Sequence, residues 1–130
     1  MKQASLDRIR RLNKAFTNKL LIHIAGKRFG HFAVLEHVGR KSGRAYRIPI
    51  IAEPVRDGFM IALTYGRQVD WYANVAAAGG CRLRWKNRDY RLVRPVFVDP
   101  PAGLAAFPAA FRLGLKAMGV RDFLQLDIQA

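Results

Sequence analysis

The hexapeptide Gly39-Arg40-Lys41-Ser42-Gly43-Arg44 places three cations and a hydroxyl within one short loop. Guanidinium forks, an ammonium, a hydroxyl and main-chain N–H groups converging on one concavity match the tetrahedral oxygens of a phosphate. The two glycines let the backbone reverse with positive φ and let a bulky ligand approach the main chain. The spacing is neither the GxxxxGK[ST] phosphate loop nor the GxGxxG dinucleotide fingerprint, so the nucleotide folds built on those motifs are not indicated. A solvated basic hairpin turn without a ligand is the plain alternative for the same residues.

Other residue types able to do chemistry are scattered. His23, His31 and His37 with the single Cys81 fit none of the usual zinc spacings, so no metal site is expected. Ser42 has no His–Asp pair near it in sequence. Glu36 and Glu53 fall on neighbouring strands, where they would pair as acid and base or, more ordinarily, answer arginines. Cys81 sits on the apolar face of its strand and reads as buried and inert. What remains is a binding site, so any redox chemistry would be carried by a bound cofactor.

The elements that must position the loop follow from periodicity. His31 to Val38 and Arg44 to Glu53 read as strands flanking it, and Phe59 to Tyr65 as a third after a turn at Asp57-Gly58. Asp70 reads as the N-cap of a short helix, Trp71 to Ala78, ended by Gly79-Gly80. Cys81 to Lys86 alternates Cys81, Leu83 and Trp85 against Arg82, Arg84 and Lys86. Asn87-Arg88 reads as a two-residue turn into a return strand, Asp89 to Val98, which Pro95 places at a sheet edge. Leu104 to Met118 is mostly helical with a break at Pro108, and Asp122 to Ile128 is a short alternating tail. Upstream, Ser5 to Ile24 carries Leu6, Ile9, Leu12, Phe16, Leu20 and Ile24 at helical spacing among Arg8, Arg10, Arg11, Lys14 and Lys19. Many short strands in a small chain predict a mainly β, closed or partly closed barrel with N-terminal, short middle and C-terminal helices.

Composition bounds the partners. The 130 residues fit one domain: a basic helix over 1–26, a barrel over 30–98 and a helical C-terminus over 100–130. Twenty-three Lys and Arg against nine Asp and Glu give a formal net charge of +14, which calls for an anionic ligand, nucleic acid or anionic membrane. One cysteine excludes an internal disulfide and suits a reducing cytoplasm. No signal peptide is evident, and no run reaches the roughly 20 apolar residues of a membrane-spanning helix. Residues 5–24 are basic and amphipathic enough to touch the inner face of an anionic membrane.

Taken in order, Gly39 to Arg44, then Arg47 and Pro49, Thr64-Tyr65-Gly66, Asp70-Trp71-Tyr72 with Asn74, and Ala78-Gly79-Gly80 resemble the deazaflavin (F420)-dependent nitroreductase and quinone reductase family. The resemblance runs from residue 30 to 98. It implies a split β-barrel like those of flavin reductases and pyridoxamine phosphate oxidases. It also implies the cofactor, coenzyme F420, with FMN as the alternative. By position, Arg40, Lys41, Ser42 and Gly43 would hold the phosphate and the start of the acidic tail, and Arg44 and Arg47 would continue that track. Ile48, Pro49, Ile50 and Ile51 would lie along the ring, Thr64, Tyr65 and Gly66 would close the pocket, and Trp71, Tyr72 and Asn74 would form its far wall. Tyr65 or Tyr72 would donate a proton.

The chain departs from that family in having Ala45 where proline is common and no tyrosine after Tyr90. The resemblance therefore favours cofactor binding over nitro reduction. The expected function is an oxidoreductase that passes hydride from reduced F420 to an apolar acceptor such as a quinone or enone, as a monomer or homodimer. The rivals are a non-enzymatic F420 or flavin carrier, and nucleic-acid binding through the ribbon Arg82, Arg84, Lys86, Arg88, Arg91 and Arg94, which lacks aromatics for base stacking.

Overall fold

Six strands close a barrel, and their inward-facing side chains fill it. The computed structural model describes residues 32–129. The strands are β1 (Phe32–Val38), β2 (Ala45–Val55), β3 (Gly58–Ala62), β4 (Gly80–Trp85), β5 (Arg88–Val98) and β6 (Phe123–Ile128), joined by helices α1 (Asp70–Ala78), α2 (Pro100–Ala105) and α3 (Ala109–Ala117). They close antiparallel in the order β1-β2-β3-β6-β5-β4. The basic segment 5–24, with His23 and His31, lies outside the described residues.

Inside the barrel Leu35, Ile50, Phe59, Ile61, Leu83, Leu92, Leu124 and Leu126 form one core, into which α1 inserts Val75. The opposite faces of β3 and β6 build a second, smaller core of Met60, Ala62 and Phe123 under Phe107, from the link between the C-terminal helices, and Leu115 of α3. All five residues of β3 are therefore buried. Gly103 of α2 belongs to this second core, where a Cβ would lie 2.1 Å from the Phe123 ring. Only a residue without a side chain lets the helix backbone rest on that ring.

Four expectations change. The tail pairs with β3 on one side and β5 on the other, and so closes the barrel as β6. The β4–β5 turn is Lys86-Asn87, both with positive φ, so Arg88 pairs with Trp85. That is the geometry of a two-residue primed turn, in which two left-handed residues match the strand twist. Asp70 is the first residue of α1 and Val69 its cap, without a side-chain capping bond. Pro95 sits in a bulge between Val93 and Val96, beside Arg94 at φ 55°, on a strand paired on both sides. A bulge takes one residue out of the ladder, which accommodates a residue with no N–H.

The open edge lies elsewhere. β1 pairs with β2 from Ala45 to Ile51, whereas β3 pairs with it only from Ile51 to Val55. Among the described strands, the first half of β2 has no partner on its β3 side. Pro49 lies on that half, where a missing N–H is tolerated.

Candidate functional site

The loop between β1 and β2 is built by its own backbone. The Gly39 amide donates to the Arg44 carbonyl (2.8 Å), the Gly43 amide to the Gly39 carbonyl (2.9 Å) and the Arg44 amide to Ser42 Oγ (3.2 Å). Gly43 takes φ 73°, a left-handed turn that a side chain would oppose. The loop is then tied to α1. Asn74 Oδ1 accepts from both the Arg40 amide (3.0 Å) and Arg40 Nη1 (2.7 Å), and Arg40 Nη2 reaches Asp70 at 3.5 Å.

Behind this contact Asn74 Nδ2 donates to His37 Nδ1 (2.9 Å). His37 stacks on its cross-strand partner Tyr46 at 5.5 Å, and the Tyr46 hydroxyl lies 3.4 Å from Ser42 Oγ. Burial lowers the pKa of His37, and the nearby Asp70 carboxylate opposes that only in part. A neutral imidazole at the end of β1 follows, with its bare nitrogen toward Asn74.

A cleft of about 820 Å³ opens between this loop, the unpaired half of β2 and the start of α1. It gathers Arg40, Lys41, Ser42, Arg47, Ile48, Trp71 and Asn74 from the residues expected at the site. It also includes His37, Tyr46, Gln68, Val69 and Asp70, which sequence reasoning did not place there. His37 carried a usable signal: it continues the inward row of Ala33 and Leu35, where a polar side chain needs a partner.

The other expected residues fall outside the lining. Gly43 and Arg44 complete the loop. Pro49 lies opposite Val34, Ile50 points into the barrel core, and Ile51 packs on the second core. Thr64, Tyr65 and Gly66 form the turn after β3, where the Gly66 amide donates to the Leu63 carbonyl and Tyr65 is 74% exposed. The Tyr72 ring rests on Phe97 at 4.7 Å, and the Arg67 guanidinium covers Phe97 while pairing with Asp122 at 2.7 Å. Glu36 and Glu53 do not face each other: the register sets Glu36 opposite Arg47 and Glu53 opposite Met60. The Cys81 thiol is half-buried, and burial pushes its pKa up to about 12.

The family model for F420H(2)-dependent quinone reductase matches residues 9–107. The chain belongs to that family. Its chemistry is F420-dependent oxidoreduction, with coenzyme F420 as cofactor. The fold agrees. A solved F420-H2 dependent reductase (FDR-A) superposes with a TM-score of 0.58 at 12% identity, over 75% of this chain and 94% of that one. A structure described as a domain-swapped dimer superposes with a TM-score of 0.57 at 11% identity, over 95% of this chain and 99% of the other. No curated protein sequence matches the chain.

The cleft of this F420H(2)-dependent quinone reductase family member fits the cofactor on its own chemistry. Its volume lies in the ~300–1,000 Å³ range of small-molecule sites. Arg40, Lys41 and Arg47 bring positive charge to the lining, and among the described residues neither Lys41 nor Arg47 has an ion-pair partner. Ile48, Tyr46 and Trp71 add flat apolar surface to the same lining, beside a strand edge whose peptide groups lack a neighbouring strand.

Proposed function

We propose that this cleft holds F420 and that the chain passes hydride from the reduced cofactor to an apolar acceptor such as a quinone or enone. The observation that carries the reading is the juxtaposition of an anchored cationic loop with the open edge of β2. One supplies fixed charge for a phosphodiester and an acidic tail; the other supplies peptide groups and apolar faces for a polar ring.

In this reading Arg40, Lys41 and Ser42 hold the phosphate and the first part of the tail, and Gly43 shapes the loop around them. Arg44 and Arg47 continue the cationic track. Ile48 lies against the ring, and the backbone of Ile48 to Ile51 meets its polar edge, with Pro49 contributing a carbonyl only. Thr64, Tyr65 and Gly66 close the pocket beyond β3, and Trp71, Tyr72 and Asn74 form the far wall.

Bound reduced F420 supplies a hydride, which together with one proton takes a quinone to its hydroquinone. The work left to the protein is orientation, exclusion of water and delivery of that proton. Of the two tyrosines proposed for delivery, Tyr65 suits the role better, because its exposed side chain can exchange protons with solvent. Tyr72 has its ring held against Phe97, outside the cleft lining.

Calorimetric titration of the apo protein with F420 and with FMN, side by side, tests the site. F420 is expected to bind more tightly than FMN. Replacing Arg40 and Lys41 together by alanine should weaken F420 about a hundredfold, the scale of losing two charge-assisted contacts. Equal affinity in that double variant, or no binding of either cofactor to the wild type, sinks the reading. Stopped-flow oxidation of bound reduced F420 by menadione separates turnover from storage, since a carrier would bind and not react.

A further inference from the structure

Among the described residues only His37 and Asn74 are both polar and buried, at 6% and 4% exposure. They touch each other and stand in series with Arg40. The series has one possible direction. Asn74 Oδ1 faces two N–H donors of Arg40, so the amide nitrogen must be the atom that faces His37. His37 Nδ1 must then be bare, with the ring proton on Nε2.

The two bonds from Arg40 to a single oxygen close a ring through the residue's own backbone and fix the guanidinium relative to the loop. A second guanidinium nitrogen is steadied by Asp70 at 3.5 Å. The charged groups that line the cleft with His37 are Arg40, Lys41 and Arg47 from the loop and β2, and Asp70 from α1.

We propose that His37 and Asn74 are positioning residues for the F420 site, acting through Arg40. They hold its guanidinium at the cleft before any ligand arrives, so binding need not order a long side chain. The inference rests on the cleft being the F420 site. It goes beyond that reading in giving His37 a role and in making Asn74 the link between His37 and Arg40. A long side chain left free would forfeit about three- to tenfold in affinity, from the usual cost of immobilising one.

Calorimetry with F420 on the full chain tests it through a double-mutant cycle. His37→Phe keeps an aromatic ring and removes the acceptor; it should raise Kd about three- to tenfold. His37→Asn, whose Oδ1 lies near the place of Nδ1, should restore most of the loss. On an Arg40→Ala background His37→Phe should add nothing further, because its effect passes through Arg40. An undiminished effect on that background would mean that His37 touches the ligand itself, and overturns the proposal. Wild-type affinity in a His37→Phe protein that is merely less stable also overturns it, while leaving the F420 site intact. A wild type that binds no F420 removes the site and the proposal together. Nitrogen-15 spectra of the ligand-free wild type decide the arrangement without any variant. They should show an unprotonated His37 Nδ1 and an Arg40 guanidinium with hindered rotation, and a protonated Nδ1 or a freely rotating guanidinium would refute the series.

Discussion

At the scale of single residues, the cleft lining contains an imidazole whose protonation is opposed by burial. His37 ordinarily titrates near 6.5, and in the fold its value is lowered by desolvation. Above about pH 6.5 neither folded nor unfolded chain protonates it, and its contribution to stability is complete. As pH falls below 6.5 the unfolded chain binds a proton that the folded chain refuses, so stability falls until the lowered folded value is passed. Urea denaturation from pH 8 to 5 should show this decline in the wild type, and His37→Phe should flatten it. The same slope in both proteins would place the titration elsewhere. The loop was legible in the sequence as a glycine-bounded turn carrying Arg40, Lys41, Ser42 and Arg44. His37 was harder to assign: its inward parity was visible, but its partner Asn74 lies on another element, and spacing along one strand cannot reveal that.

At the scale of elements, what was legible followed locality. Strands β1 to β5 and the short helix carry their own alternation or caps, and their extents differ from the expected ones by a few residues. Strand β6 did not announce itself, because six residues after a helix gain their meaning only from β3 and β5, which lie far away in sequence. The open half of β2 was hidden for the same reason, since which residues β3 leaves unpaired is a property of the pair. The C-terminal helices supply a test of how tightly this layer is built. In α2, Gly103→Ala would place a methyl 2.1 Å from the rigid, buried Phe123 ring. Overpacking of that kind costs about 1–3 kcal/mol, more than the ~1 kcal/mol an alanine gains in helix propensity. In α3, Gly114→Ala meets nothing within 4 Å and should stabilise. Thermal melts are expected to move in opposite directions, with F420 affinity unchanged in both variants because neither glycine lines the cleft. A stable Gly103→Ala protein would show that α2 is free to lift away from the barrel.

At the scale of the whole molecule, the net charge of +14 is distributed with a consequence for binding. Several acidic groups of the described residues are already engaged by arginines: Asp122 by Arg67, Asp89 by Arg84, Asp127 by Arg94 and Asp70 by Arg40. Exposed cations at and beside the cleft, Lys41, Arg44 and Arg47, have no such partner among the described residues. The molecule's field should therefore draw an anion in, while the loop decides how long it stays. Salt separates the two contributions, because the field is screened beyond about 8–10 Å at physiological ionic strength while short contacts persist. Raising NaCl from about 50 to 500 mM should slow F420 association severalfold in the wild type. Alanine at Arg88 and Arg91, both exposed and outside the cleft lining, should lower the low-salt association rate by about threefold or less and leave dissociation unchanged. Alanine at Arg40 and Lys41 should chiefly speed dissociation and flatten the salt dependence. If stopped-flow fluorescence instead found association indifferent to salt, the excess charge would have no part in capturing the cofactor, and the basic barrel face would need a partner of its own.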